Sequence, residues 1–174
     1  MKSKRMLHDI KIQVLFALYV YALFKIILFK FGSIDITFLW QQLKRSLGSP
    51  EYIRRRLQEG NLTPFKEIYR TIHVLSNHDL INLIGNIAIF MPFGIFLGLM
   101  SNKKRISFIG AFIRSLGLSL ILESAQAIFS IGSFDVDDLI LNSTGGLIGF
   151  IACRLCANLM ASTSSVIQAR EGSM

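Results

Sequence analysis

Four runs of apolar side chains, each long enough to cross a bilayer, constrain this chain more than any other feature. They cover about residues 12–31, 79–100, 106–129 and 136–160. The hydrocarbon core is about 30 Å thick, and a helix rising about 1.5 Å per residue crosses it in about 20 residues. No water there can satisfy a bare backbone, so each run must be helical. Composition agrees, because 52% of the 174 residues are hydrophobic and only three are proline. An ordinary soluble domain is less apolar and spreads its apolar residues more evenly. The sequence therefore predicts an all-α fold, an integral membrane four-helix bundle. One domain spans residues 1–160, and the small, polar stretch 161–174 reads as a disordered tail.

The net charge of +8 lies outside these runs. Basic residues that border apolar spans favour anionic lipid or phosphate over nucleic acid. The first run follows Lys2, Lys4, Arg5 and Lys11 and superficially resembles a secretion signal. No small-x-small cleavage site follows it, so it reads as an uncleaved anchor. Lys30 lies near its end and can snorkel to the interface, whereas Lys25 is deeper and faces protein or a cavity. Cys153 and Cys156 sit inside the last run, where they act as small hydrophobes rather than a redox or metal pair.

Residues 32–78 form a long polar connection with two predicted helical pieces. Ser49-Pro50-Glu51 supplies a cap, a first-turn proline and a first-turn acid, followed by Arg54, Arg55 and Arg56. Thr63-Pro64 starts the second piece, in which Phe65, Ile68, Tyr69, Ile72 and Leu75 share one face. Lys66, Glu67, Arg70 and His73 lie opposite or at its edges, the pattern of an amphipathic segment lying in the membrane interface. Trp40 and Tyr52 suit the same level.

In the second run Asn82 and Asn86 are four apart and share a face, Pro92 predicts a kink, and Gly94 and Gly98 permit close helix packing. Lys103, Lys104 and Arg105 form a tight basic turn toward which Arg114 can snorkel. Gly145, Gly146 and Gly149 give the last run a second smooth face, which makes a homodimer conceivable. The dense basic segments at the N-terminus and at 103–105 place both termini in the cytoplasm of a bacterial cell, although the long basic connection opposes this assignment.

The polar residues of the spans carry the functional reading. Asn86, Glu123 and Asn142 each lie about six or seven residues from the outer ends of their runs, roughly 10 Å deep. Gln126 is shallower, Asp138 shares a face with Asn142, and Asp135 or Asp137 stands at the mouth. Intramembrane ionisable groups are costly and mark function by default. The sequence therefore predicts a polar pocket in the outer leaflet, with the basic connection as its lid. The competing reading is a hydrogen-bond cluster that only holds the helices together, each bond contributing about 0.6 kcal/mol.

Four motifs carry a family resemblance over nearly the whole chain. They are N-L-T-P-F at 61–65, N-x-x-G-N-x-x-x-F-x-P-x-G at 82–94, E-x-x-Q at 123–126 and D-x-D-D-x-x-x-N-x-x-G-G at 135–146. In this order they resemble the VanZ-like family of small bacterial membrane proteins. The resemblance implies a link to teicoplanin resistance but no chemical mechanism. The family pattern has an arginine just before the aspartate turn, where this chain reads Ile131-Gly132-Ser133-Phe134. Any anion contact made there would need an arginine of the connection instead.

Three functions remain open on these grounds. The first is a non-catalytic envelope protein that binds an anionic lipid-linked wall precursor or teichoic acid through Asn82, Asn86, Glu123, Gln126, Asp135, Asp138 and Asn142, with Arg54, Arg55 and Arg70. The second is an intramembrane enzyme in which Glu123 or Asp138 acts as general acid or base, or the carboxylates hold Mg²⁺ or Ca²⁺. No nucleophile with an evident base partner supports it, and His78 is its weak further candidate. The third, a lipid flippase, has little room in four short spans. Membrane lipids are the expected partners of any of them, and no cofactor is expected.

Overall fold

The computed structural model describes residues 2–29, 32, 34–101 and 106–171. Lys30 and the basic turn Lys103-Lys104-Arg105 lie outside them. The described residues form seven helices and no strand: α1 (Lys2–Phe29), α2 (Ile36–Gly48), α3 (Pro50–Gln58), α4 (Lys66–Val74), α5 (Asn77–Met100), α6 (Phe108–Phe129) and α7 (Val136–Glu171). Four are long and apolar enough to span a membrane, over Met6–Phe29, Asn77–Met100, Phe108–Phe129 and Val136–Met160. The first span begins earlier than its apolar run alone indicates. Helix α7 continues through residues 161–171, the stretch whose small, polar composition reads as a tail.

The spans alternate in direction. Tyr19 Oη donates to the Ile89 carbonyl at 2.7 Å and Phe16 packs on Phe93 and Phe96, so α1 and α5 run antiparallel. Ser119 meets Asn142, and Phe108 meets Phe150, so α6 and α7 also run antiparallel. Helices α5 and α7 run parallel and approach closely. A Cβ built at Gly94 would collide with the Gly146 carbonyl oxygen, one at Gly145 with that of Ile87, and one at Gly149 with that of Met91. The glycine faces that made a dimer conceivable thus pack on each other within one chain.

Leu23, Leu28, Phe90 and Leu122 form the buried core where α1, α5 and α6 meet. Much of the bundle's outside is apolar and exposed, including Val14, Leu18, Ile84, Ile113, Ile121 and Leu155, as expected of a surface that lipid covers.

The connection between α1 and α5 holds three helices rather than two. Helix α2 is the addition, capped by the Asp35 side chain, which accepts from Phe38 N at 2.9 Å. Ser49 is the N-cap residue of α3 as expected, but its hydroxyl makes no capping bond. All three helices gather at the end of the bundle where α1 and α6 finish and α5 and α7 begin. Ser46 Oγ donates to the Ile128 carbonyl at 2.7 Å, which ties α2 to the last turn of α6.

Candidate functional site

The aspartate turn and the Asn-Leu-Thr-Pro-Phe stretch are built into one another. Asn61 N donates to the Phe134 carbonyl and Val136 N to the Asn61 carbonyl, both at 2.9 Å, an isolated bridge between extended segments. Asn61 Nδ2 adds a 2.9 Å bond to Asp135 Oδ1, which also accepts from Asp137 N at 2.8 Å. Asp137 then caps α4 from another part of the chain. Its carboxylate accepts from the backbone N–H groups of Phe65, Glu67 and Ile68, the last two at 2.6 and 3.2 Å. These are donors that a helix N-terminus leaves without intrahelical partners, and negative charge is favoured there. Phe65, the N-cap residue of α4, holds a left-handed φ of 65°, costly for a side chain of its size.

Asp137 is therefore buried and committed to α4 rather than standing at an open mouth. Asp135 is half-buried and bonded to Asn61. The docked connection leaves Phe65, Tyr69, Ile72 and Leu75 of the predicted amphipathic face exposed.

Beneath this turn the polar side chains of the spans meet in pairs. Asn86 Nδ2 donates to Asp138 Oδ1, joining α5 to α7. Glu123, only 2% exposed, accepts from Asp135 N at 3.0 Å. Asn142, equally buried, donates to Ser119 Oγ at 2.9 Å, and its Oδ1 has no hydrogen-bond partner. Gln126 reaches outward to α1, donating to the Ile27 carbonyl at 3.0 Å.

The common depth expected from residue counting holds only in part. Asp135 stands opposite Glu123, so α7 starts below the end of α6 at Phe129. Asn142 consequently faces Ser119, one helical turn deeper than Glu123. Ser115, Ser119 and Glu123, each four apart on α6 and all buried, form a polar line against α7 that the sequence reading did not isolate.

Other expected residues lie at the rim. Asn82 is exposed, 3.4 Å from His78 Nδ1, and the His73 ring lies against Tyr69. Arg54 pairs with Glu51 at 3.9 Å, Arg55 with Glu59 at 3.7 Å, and Arg70 with Glu67 at 2.7 Å and Asp79 at 3.9 Å. Exposed pairs of this kind contribute about 0–1 kcal/mol and exchange partners readily.

The arginine that reaches the aspartate turn is Arg56. It donates to the Gly132 carbonyl at 2.6 Å and to Glu59 at 2.9 Å. The 3.6-residue period could have found it, because Tyr52, Ile53, Arg56 and Leu57 form the packed stripe of α3 while Arg54 and Arg55 face out. Among the described residues, no group of three or more His, Cys, Asp or Glu side chains is placed to hold a metal ion.

A family model described as VanZ/LLP1 matches residues 16–157. Protein VanZ of Enterococcus faecium is 35% identical over 135 residues, which is 78% of this chain and 68% of that protein. No solved structure matches.

Proposed function

The chain belongs to the VanZ/LLP1 family, and from that premise we propose that it binds an anionic lipid-linked wall precursor or teichoic acid at the loop end of its bundle. In this reading both termini are cytoplasmic and the loop end faces outward in a bacterial cell membrane. Binding there lowers the action of glycopeptides such as teicoplanin.

The observation that carries the reading is Asn142 Oδ1, a buried acceptor without a partner, one turn below the buried carboxylate Glu123. A buried polar atom left unbonded costs about 1–3 kcal/mol, more than interhelical glue returns. A donor from outside the protein, such as a sugar hydroxyl or an amide, would remove that cost. Carboxylates suit the same donors, so Glu123, Asp138, Asn86 and Asn142 take the hydroxyl and amide groups of a glycan. Its phosphates fall to the rim cations Arg54, Arg55 and Arg70, whose exposed ion pairs exchange easily.

Photocrosslinking tests this division. A photoreactive residue at Asn86 or Arg55, activated in growing cells, is expected to capture a lipid-linked or polymeric envelope glycan. Capture of bulk phospholipid alone from both positions would overturn the proposal.

A further inference from the structure

Helix α2 has two unlike sides. Leu39, Gln42, Leu43 and Ser46 pack inward, and the Ser46 bond to Ile128 fixes α2 at the level where a membrane-spanning helix ends. The other side exposes Ile36 at 76%, Trp40 at 57% and Leu47 at 75%, with Lys44 beside them, while Arg45 is exposed on the far flank, over Tyr52 of α3. Large apolar side chains bared at that level have no protein cover, and a water-facing helix would not carry them.

The cations of α2 also differ from the arginines of the helices that follow. Arg54, Arg55, Arg56 and Arg70 each have a carboxylate within ion-pair distance. Among the described residues no such pair involves Lys44 or Arg45. Lys44 Nζ instead stands 5.2 Å from the centre of the Trp40 ring, and Arg45 Cζ stands 5.3 Å from that of Tyr52. Tyr52 is braced in turn by its hydroxyl contact with Ser130 at 2.8 Å, so the aromatic platform under Arg45 is held from the aspartate turn.

We propose that the outer side of α2 is a site for anionic phospholipid. Ile36, Trp40 and Leu47 sink to the acyl boundary, and Lys44, beside Trp40, holds a headgroup phosphate, with Arg45 adding positive charge from the far flank of the helix. Apolar burial and headgroup charge add in such interfacial helices, and aromatic side chains favour the same depth. The site lies apart from Glu123 and Asn142 and does not depend on what binds there.

Trp40 is the single tryptophan of the chain and therefore reports lipid next to α2. The full chain is reconstituted in mixed phosphatidylcholine–phosphatidylglycerol vesicles. Either lipid is then supplied brominated at equal mole fraction, since bromine quenches indole only near contact. Brominated phosphatidylglycerol is expected to be enriched about fivefold at Trp40, the effect of one basic side chain at an anionic surface. The Lys44→Gln/Arg45→Gln chain should quench equally with both lipids, whereas Arg54→Gln should keep the enrichment. Equal quenching in the unaltered chain would overturn the proposal without recourse to any variant. So would enrichment that survives in the double variant, or enrichment that Arg54→Gln abolishes equally well.

Discussion

The Asp137 carboxylate accepts hydrogen bonds from three backbone N–H groups of a segment about seventy residues earlier, at the start of α4. One charged hydrogen bond lost from a buried site costs roughly 3 kcal/mol, which raises local opening about a hundredfold. Asp137→Ala should therefore let trypsin cut after Lys66 and Arg70 about a hundredfold faster in reconstituted protein. Asp137→Asn keeps one acceptor oxygen and should fall between. Unchanged cleavage would show that α4 is held by other means. At this scale the sequence displayed the residues but not their partners. Asp135, Asp137 and Asp138 look alike in a row, yet one binds Asn61, one caps α4 and one meets Asn86. Those assignments depend on segments brought together only by folding, so spacing along the chain could not separate them.

At the scale of helices, the parallel contact of α5 with α7 rests on glycines facing carbonyl oxygens. A side chain at Gly94, Gly145 or Gly149 meets backbone, which cannot swing aside, whereas one at Gly98 meets the side chain of Cys153. Overpacking of this kind costs about 1–3 kcal/mol. Gly145→Ala and Gly149→Ala should lower the unfolding midpoint in detergent, followed by Trp40 fluorescence, more than Gly98→Ala does. Gly85→Ala meets nothing within 4 Å and should be neutral, or stabilising by up to about 1 kcal/mol. Equal effects at Gly85 and Gly149 would refute the close approach. The spans were legible because length and apolarity fix them together. Helix α2 was not, because it is short and amphipathic, and its exposed apolar side reads as loop until the membrane is considered. The glycine faces were visible as faces, but nothing in the sequence says that they meet each other.

For the whole molecule the open quantity is its direction in the membrane, on which an outward-facing site depends. Charge along the sequence gives a divided answer, because both the N-terminus and the long connection are basic. The positive-inside bias is set by short basic segments beside the spans, which here are the N-terminus and residues 103–105. On that bias the proposed orientation has the loop end facing outward. In a chain whose Cys153 and Cys156 are replaced by serine, Ser133→Cys and Ser162→Cys place one thiol beyond each end of the spans, both at exposed positions. A membrane-impermeant maleimide added to intact cells should label the first and reach the second only after lysis. The opposite pattern would put Glu123 and Asn142 beneath the cytoplasmic surface, out of reach of any ligand confined to the outer leaflet. It would remove the proposed function while leaving the fold and the lipid site on α2 untouched.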